Sequence, residues 1–315
     1  MTAGASGFPD GKRFAFSIVD DTDVSTVENV KPVYDLLYEL GLKTTKTVWP
    51  LSCPEGSENY ESSETLEDPE YEAFVHELAA RGFEITWHGP TMESSRRERI
   101  VAGLAAFRKS MGYYPRIHIN HGYNQDNVFW GHDRIDQPLL KRALRATSQG
   151  RRYLGHEEGS ENWWGDLFGE RFDYVRNLTF DEINLLKVNP TMPYRDPNRD
   201  LGPLWFSSSD ANDVFDFNEL LREGNQRRLE EEGGICIVAT HFGKGFSEGG
   251  RVNARTEELL RQLAARPGWF VPVGTLLDRR RLEVPDLPRR EWRRMQWRWA
   301  RDLVARRLPS YRKSS

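Results

Sequence analysis

The chain has 315 residues, 38% of them hydrophobic and 29% charged, which is enough for one large α/β domain or two small ones with an ordinary buried core. A net charge of −4 leaves no global basic field for nucleic acid, and no apolar run is long enough to predict a membrane-spanning helix. Cys53 and Cys236 are far apart, lack metal-like spacing and fit a reducing compartment; with no apolar core for a secretion signal in MTAGASGFPDGKRF, a cytoplasmic location is expected.

Short apolar runs alternate with amphipathic segments along the chain. After an extended or disordered stretch over 1–12, residues 13–19 (RFAFSIV) predict the first strand. VENVKPVYDLLYELG predicts an amphipathic helix closed by Gly41. Residues 42–51 (LKTTKTVWPL) predict a second strand, followed by a polar loop over 52–68 and a helix at PEYEAFVHELAARG. Residues 83–88 (FEITWH) predict a third strand, SSRRERIVAGLAAFRKSMG a helix, and 114–122 (YPRIHINHG) a fourth strand. QPLLKRALRATSQG is helical, whereas 151–181 is loop-rich and aromatic with no clear period. INLLKVNP and GPLWFSSSD predict the fifth and sixth strands and FNELLREGNQRRLEEEGG a helix. ICIVATHFGKG predicts the seventh strand, NARTEELLRQLAARPG a helix and WFVPVG the last strand. From Leu276 the chain is basic and helical. Strand candidates alternating with helices argue for a parallel sheet covered by helices, open or closed into a barrel. One domain is expected, with 281–315 as a basic helical extension packing its aromatic side on the body.

Parallel α/β proteins carry their reactive groups at the carboxyl ends of the strands, because the loops that follow open onto one face. The predicted strands end in Asp20 and Asp21, then His88, Asn120 and His121, Asn189, Asp210 and His241. Two acids and several imidazoles converging on one mouth form a nitrogen and oxygen donor set suited to a borderline divalent cation such as zinc. A cation would offset the repulsion between the adjacent carboxylates of FSIVDDTDV and lower the pKa of a bound water toward ~7. Hydrolysis then needs one group to take the water's proton and another to protonate the leaving group. Asp23 reads as a turn or cap residue. His118 is expected to face away from His121, since alternate strand residues leave on opposite faces. His76, His132 and His156 end no clear strand and read as structural or exposed. The aromatic supply, ten Trp, eleven Tyr and sixteen Phe, leans toward a carbohydrate ligand.

FSIVDD, ITWHG and IVATHFG, in that order on successive strand ends, resemble the motifs of the polysaccharide deacetylases with the NodB homology domain. ELLRQLAARPGWFVPVGTLLDRR resembles the family's last helix, strand and helix start, so the likeness spans residues 14–280. Within the family the chain is most similar to the WbmS-type deacetylase-like group, associated with surface-polysaccharide biosynthesis. The resemblance implies an α/β fold with a distorted (β/α)7–8 barrel over 13–280. It also implies a hydrolase that removes an acyl group from an amino sugar or sugar precursor with one divalent metal ion, zinc by type. Asp20 would be the general base, Asp21 and His88 metal ligands, and His241 the proton donor to the leaving group. Met92 stands where the family has a second metal His; a thioether is a poor ligand for such a cation, and His121 is the candidate third ligand. Trp49, Asn120, Tyr123, Trp130 and Asn189 are the candidate substrate-binding residues.

Without an export signal, a nucleotide-linked or lipid-linked sugar is the expected substrate rather than wall polymer, and no nucleic-acid partner is expected. The basic stretch over 285–315, interleaved with Trp292, Trp297 and Trp299, is a candidate for weak contact with an acidic membrane surface. Two rival readings follow from the same residues. Met92 favours a non-catalytic carbohydrate-binding relative on the same barrel, and Asp20 with Asp210 would make a metal-free glycosidase pair.

Overall fold

The computed structural model describes residues 7–57, 59, 62–148, 150–281 and 286–306. Seven parallel strands close into a barrel: β1 (Phe14–Asp20), β2 (Thr45–Val48), β3 (Glu84–Trp87), β4 (Ile117–His118), β5 (Tyr174–Phe180), β6 (Leu204–Asp210) and β7 (Ile235–Thr240). Closure is made by β7 pairing back onto β1, Ala15 with Ile235 through Asp20 with Thr240. The other edge of β1 is divided. The short strand β10 (Gly268–Phe270) takes its amino-terminal half at Phe14–Phe16, and β2 takes its carboxyl end at Val19 and Asp20. Every residue of β1 is buried, as a parallel strand with barrel interior on one face and helices on the other requires.

Helices cover the barrel in the order α1 (Val27–Glu39), α2 (Pro69–Ala80), α3 (Arg97–Met111), α4 (Pro138–Thr147), α5 (Gly165–Arg171), α6 (Val214–Leu220) and α7 (Glu223–Glu232). A small hairpin, β8 (Ser247–Glu248) and β9 (Arg251–Val252), leads into α8 (Ala254–Ala264). α9 (Val273–Arg280) and α10 (Arg289–Ala305) end the described chain. α1 shows why these segments are helical. Thr26 and Asn29 form a capping box, and Val30, Val33, Tyr34 and Leu37 recur at helical spacing on the buried face. Among the described residues no helix is long and apolar enough to cross a membrane.

The fifth strand is not where its apolar run suggested. INLLKVNP forms a single 3-10 turn, Leu185–Lys187, capped by the Asn184 side chain accepting from the Leu186 amide. The strand is Tyr174–Phe180, inside the stretch that showed no period. Its residues are buried on both faces, with Arg176 and Asn177 in mid-strand, so neither alternation nor an unbroken apolar run marks it. FNELLREGNQRRLEEEGG breaks into α6 and α7, and the fourth strand shrinks to two residues.

α10 lies against β5 with Trp292, Met295, Gln296 and Trp299 buried. The Gln296 side-chain oxygen accepts from the Asp136 and Gln137 amides at 2.8 and 2.9 Å, which ties the helix to the loop before α4. Arg306 pairs with Asp181 at 2.7 Å and with Asp210 at the end of β6.

At the mouth of the barrel the loop after β7 touches the loop after β1. A Cβ on Gly243 would lie 2.5 Å from the Val24 carbonyl oxygen and 3.0 Å from that of Asp23, both backbone atoms that cannot swing away. Gly243→Ala is therefore expected to lower stability by about 1–3 kcal/mol in urea unfolding; an unchanged midpoint would contradict this close approach.

Candidate active site

Adjacent residues of an extended strand leave on opposite faces, and the end of β1 separates its acids accordingly. Asp20 points outward, into the layer between sheet and helices. Its Oδ2 accepts from Tyr34 Oη at 2.8 Å and Lys46 Nζ at 3.0 Å, and its Oδ1 from the Phe242 amide at 2.8 Å. Asp20 and Lys46 are both fully buried. Burial alone would depress the Lys46 ammonium, but the Asp20 carboxylate raises it above its ordinary value. Burial, and then the Asp20 charge, push the Tyr34 phenol well up. Asp20 does not line the cleft at the barrel mouth, which corrects its expected place as the base and removes the Asp20–Asp210 pair of a metal-free glycosidase.

Asp21 faces inward. Arg176, from β5, grips it with two hydrogen bonds, Nη1 to Oδ1 at 3.0 Å and Nη2 to Oδ2 at 2.6 Å, and both residues are buried. Burial pushes this carboxyl up, but Arg176 outweighs it with help from His88 and His241, so it sits below its ordinary value. With both oxygens taken by the guanidinium, Asp21 is not the carboxylate that joins the imidazoles.

That carboxylate is Asp23, which the sequence presented as a turn residue. Its Oδ1 lies 3.4 Å from His88 Nε2 and 3.4 Å from His121 Nε2, and its Oδ2 lies 3.2 Å from His241 Nε2. Burial pushes its carboxyl up, but His121, His241 and His88 together hold it well below the usual range. The turn that aims it is strained. Val24, a β-branched residue, has φ 53° in the left-handed region. The Asn29 side chain, part of the α1 cap, holds it there by donating to the Val24 carbonyl at 2.8 Å.

Backbone carbonyls orient two of the imidazoles. Nδ1 of His88 donates to the Ile119 carbonyl at 3.0 Å and Nδ1 of His241 to the Asn212 carbonyl at 2.7 Å. A carbonyl only accepts, so in each ring Nδ1 carries a proton and Nε2 is the nitrogen turned toward Asp23. Trp49 packs against the rings of His88 and His121, 4.9 and 5.1 Å between centroids. It is only 1% exposed, so it supports the imidazoles from beneath and forms no cleft wall. Burial lowers the His88 imidazolium, whereas Asp23 raises His121 and His241 against the same effect.

His118 faces the other way, as strand alternation predicts. Its Nδ1 accepts from Trp87 Nε1 and its Nε2 donates to Asn120 Oδ1, both at 3.0 Å. Burial among Trp164, Phe168 and Phe172 drops it to about 3, so it stays neutral.

The cleft above Asp21, Asp23 and the three imidazoles has a volume of about 1090 Å³. Trp130 and the exposed Tyr123 line it, with Trp130 Nε1 tied to the Gly122 carbonyl at 2.7 Å. Asn120 also borders it, but its amide is engaged with the Val128 backbone at 2.9 and 3.0 Å. Asn189 is not in the cleft. It is fully buried at the end of the 3-10 turn, donating to Ser207 Oγ at 3.0 Å, because the strand expected to end there is elsewhere. Met92 lines the cleft with its Sδ accepting from Ser62 Oγ.

Asp23, His88 and His121 offer one oxygen and two nitrogens within 4.8 Å of one another. Asp23 Oδ1 and His121 Nδ1 are buried without a hydrogen-bond partner. An orphaned carboxylate oxygen facing two imidazole nitrogens, with the His88 ring oriented by a carbonyl, fits a divalent cation of the zinc type. The set is formed without Met92, the residue that favoured a non-catalytic relative. Reading the chain alone missed Asp23 and Arg176. The first carried a signal, since it follows Asp21 by two residues and continues its face if the chain stays extended; the second lies in the stretch without a period.

No family model matches the chain, and no curated protein matches it. Solved structures do match. A protein named as a polysaccharide deacetylase from Pseudomonas aeruginosa PAO1 superimposes with a TM-score of 0.53 at 14% identity, covering 87% of this chain and 93% of that one. The barrel is of the polysaccharide-deacetylase type. One from Mycobacterium smegmatis gives 0.51 at 15% identity over 90% and 96% of the two chains, and PuuE allantoinase gives 0.51 at 15% over 87% and 92%. At such identity the likeness is one of fold.

The buried pair predicts how Asp20 responds to change. Asp20→Asn leaves Lys46 buried without its counter-charge and should cost roughly 3–5 kcal/mol in urea unfolding, part of it recovered by adding Lys46→Met. A stable single variant would contradict the structural role.

Proposed function

We propose that this chain is a hydrolase of the deacetylase type that cleaves the amide between an acyl group and the nitrogen of an amino sugar. The observation that carries it is the Asp23 carboxylate shared by three imidazoles beside the Arg176-clamped Asp21, at one barrel mouth. Asp23, His88 and His121 would hold one divalent cation, zinc by the chemistry of the donors. When bound, such an ion polarises an acyl oxygen and acidifies water.

The side chains supply the proton transfers. Asp21 takes the place first expected of Asp20. Each of its oxygens has one lone pair engaged by Arg176 and another left to accept the proton of an attacking water. The water oxygen adds to the acyl carbon, the carbon–nitrogen bond breaks, and the departing nitrogen takes a proton. His241 is suited to give it, because its Nδ1 is anchored on the Asn212 carbonyl and its Nε2 faces the site. Trp130 and Tyr123 offer aromatic faces for the sugar ring.

The resemblance to the WbmS-type group supports a place in surface-polysaccharide biosynthesis, and a nucleotide-linked or lipid-linked precursor in the cytoplasm is the substrate proposed for that place. Arg289, Arg290, Arg293 and Arg294 border one surface groove with the half-exposed Trp297, which supports a weak contact with anionic membrane surfaces.

Elemental analysis and assay of N-acetylated sugars by mass spectrometry test these roles. Purified protein should carry stoichiometric divalent metal, lost in Asp23→Ala and His88→Ala. Asp21→Asn should keep the metal and lose turnover by at least ~100-fold. Metal retained in Asp23→Ala, or an active Asp21→Asn, would overturn the assignment.

A further inference from the structure

Arg134 ends the short 3-10 turn Gly131–Arg134 and lines the cleft. Its guanidinium is flanked by two indoles, with the guanidinium carbon 4.0 Å from the Trp130 ring centroid and 4.6 Å from that of Trp299 on α10. Nη1 donates to the Asn177 carbonyl at 3.2 Å, and Nε is buried with no acceptor. Among the described residues no carboxylate pairs with it. Burial drops it to about 10, an uncommon place for an arginine. The indoles offset part of this cost, but a desolvated cation without a counter-charge is normally paired.

The cleft's own acids do not supply the missing charge. Asp21 is taken by Arg176, Asp23 faces the three imidazoles, and Asp210 pairs with Arg306. Glu93 accepts from the Asn59 amide at 3.3 Å and, among the described residues, pairs with no cation. On the cationic side, Arg151 also lines the cleft, stacked 3.9 Å over Tyr123 and without a carboxylate partner among the described residues. Two arginines therefore face this space with their charge unmatched. With Nη1 on the Asn177 carbonyl and Nε buried, the Nη2 end of Arg134 is left for an acceptor, and a carboxylate or phosphate supplies one.

We propose that Arg134, with Arg151, forms an oxyanion subsite of the cleft, so that the substrate is an acidic sugar bearing a carboxylate or a phosphate. This rests on the reading of the cleft as a sugar site and narrows it to charged sugars. Trp299 gives α10 a part in that subsite, since the helix supplies one of the two rings that hold the guanidinium.

The test compares the full chain with Arg134→Met, which fills the space between the indoles without charge, and with Arg134→Lys, which keeps the charge. Three probes are titrated calorimetrically: N-acetylglucosamine, its 1-phosphate, and N-acetylglucosaminuronate. At least one acidic sugar should bind wild type roughly tenfold or more better than the neutral one. That ratio should fall toward one in Arg134→Met and be partly kept in Arg134→Lys, and whichever acid shows it identifies the source of the oxyanion. The unliganded melting temperature of Arg134→Met should not fall, because a buried unpaired charge has been removed. If that variant does unfold, the Arg134→Lys ratio decides alone. Acidic sugars binding no better than the neutral one, or a ratio unchanged by the substitution, would overturn the subsite. Mass spectrometry of the same samples separates the two readings. A charge preference without any deacylation sinks the hydrolase and leaves the subsite; equal turnover of neutral and acidic sugars with no preference sinks the subsite alone.

Discussion

Side chains of neighbouring residues in an extended strand cannot share a site, and the end of β1 is arranged around that constraint. Asp20 leaves toward α1 and neutralises Lys46 in a fully buried pair. Asp21 leaves toward the barrel mouth and is gripped by Arg176. Asp23 comes after the strand has ended and reaches the imidazoles through a turn that places Val24 in the left-handed region. Three acids within four residues thus meet three different hydrogen-bond partners, Lys46, Arg176 and the imidazoles, although His88 and His241 act on the charge of both Asp21 and Asp23.

The surroundings of Asp23 hold its imidazoles in place before any ligand arrives. The Ile119 and Asn212 carbonyls set the tautomer and direction of His88 and His241, and Trp49 packs beneath His88 and His121. The loop after β4, which carries His121, is tied down by Asn127, whose side chain accepts from the His121 amide and donates to its carbonyl. An imidazole held at its far nitrogen, as His88 is, would lose little freedom on binding a cation. The far wall of the cleft is built differently, from aromatic rings and arginines, with α10 contributing Trp299 and Leu303.

Much of this was legible along the chain. Alternating strands and helices pointed to a parallel α/β architecture, and His88, His121 and His241 were singled out because each follows an apolar strand. What escaped was local. Asp23 looked like a cap because aspartate favours helix starts, and nothing in the sequence shows that a strained turn redirects it. Arg176 sits in a strand buried on both faces, where polar residues break the apolar run that would mark it. The leucine pair before Asn189 resembles a strand but forms a 3-10 turn, and Trp49, whose place after an apolar strand suggests a cleft wall, lies buried against the imidazoles.

Anomalous diffraction at the zinc edge from zinc-loaded crystals decides whether Asp23, and not Asp21 or Asp20, is the carboxylate of the proposed metal site. One peak is expected within coordination distance of Asp23, His88 Nε2 and His121 Nε2, with the Asp21–Arg176 pair intact beside it. A peak coordinated by Asp21, with Arg176 displaced, would contradict it.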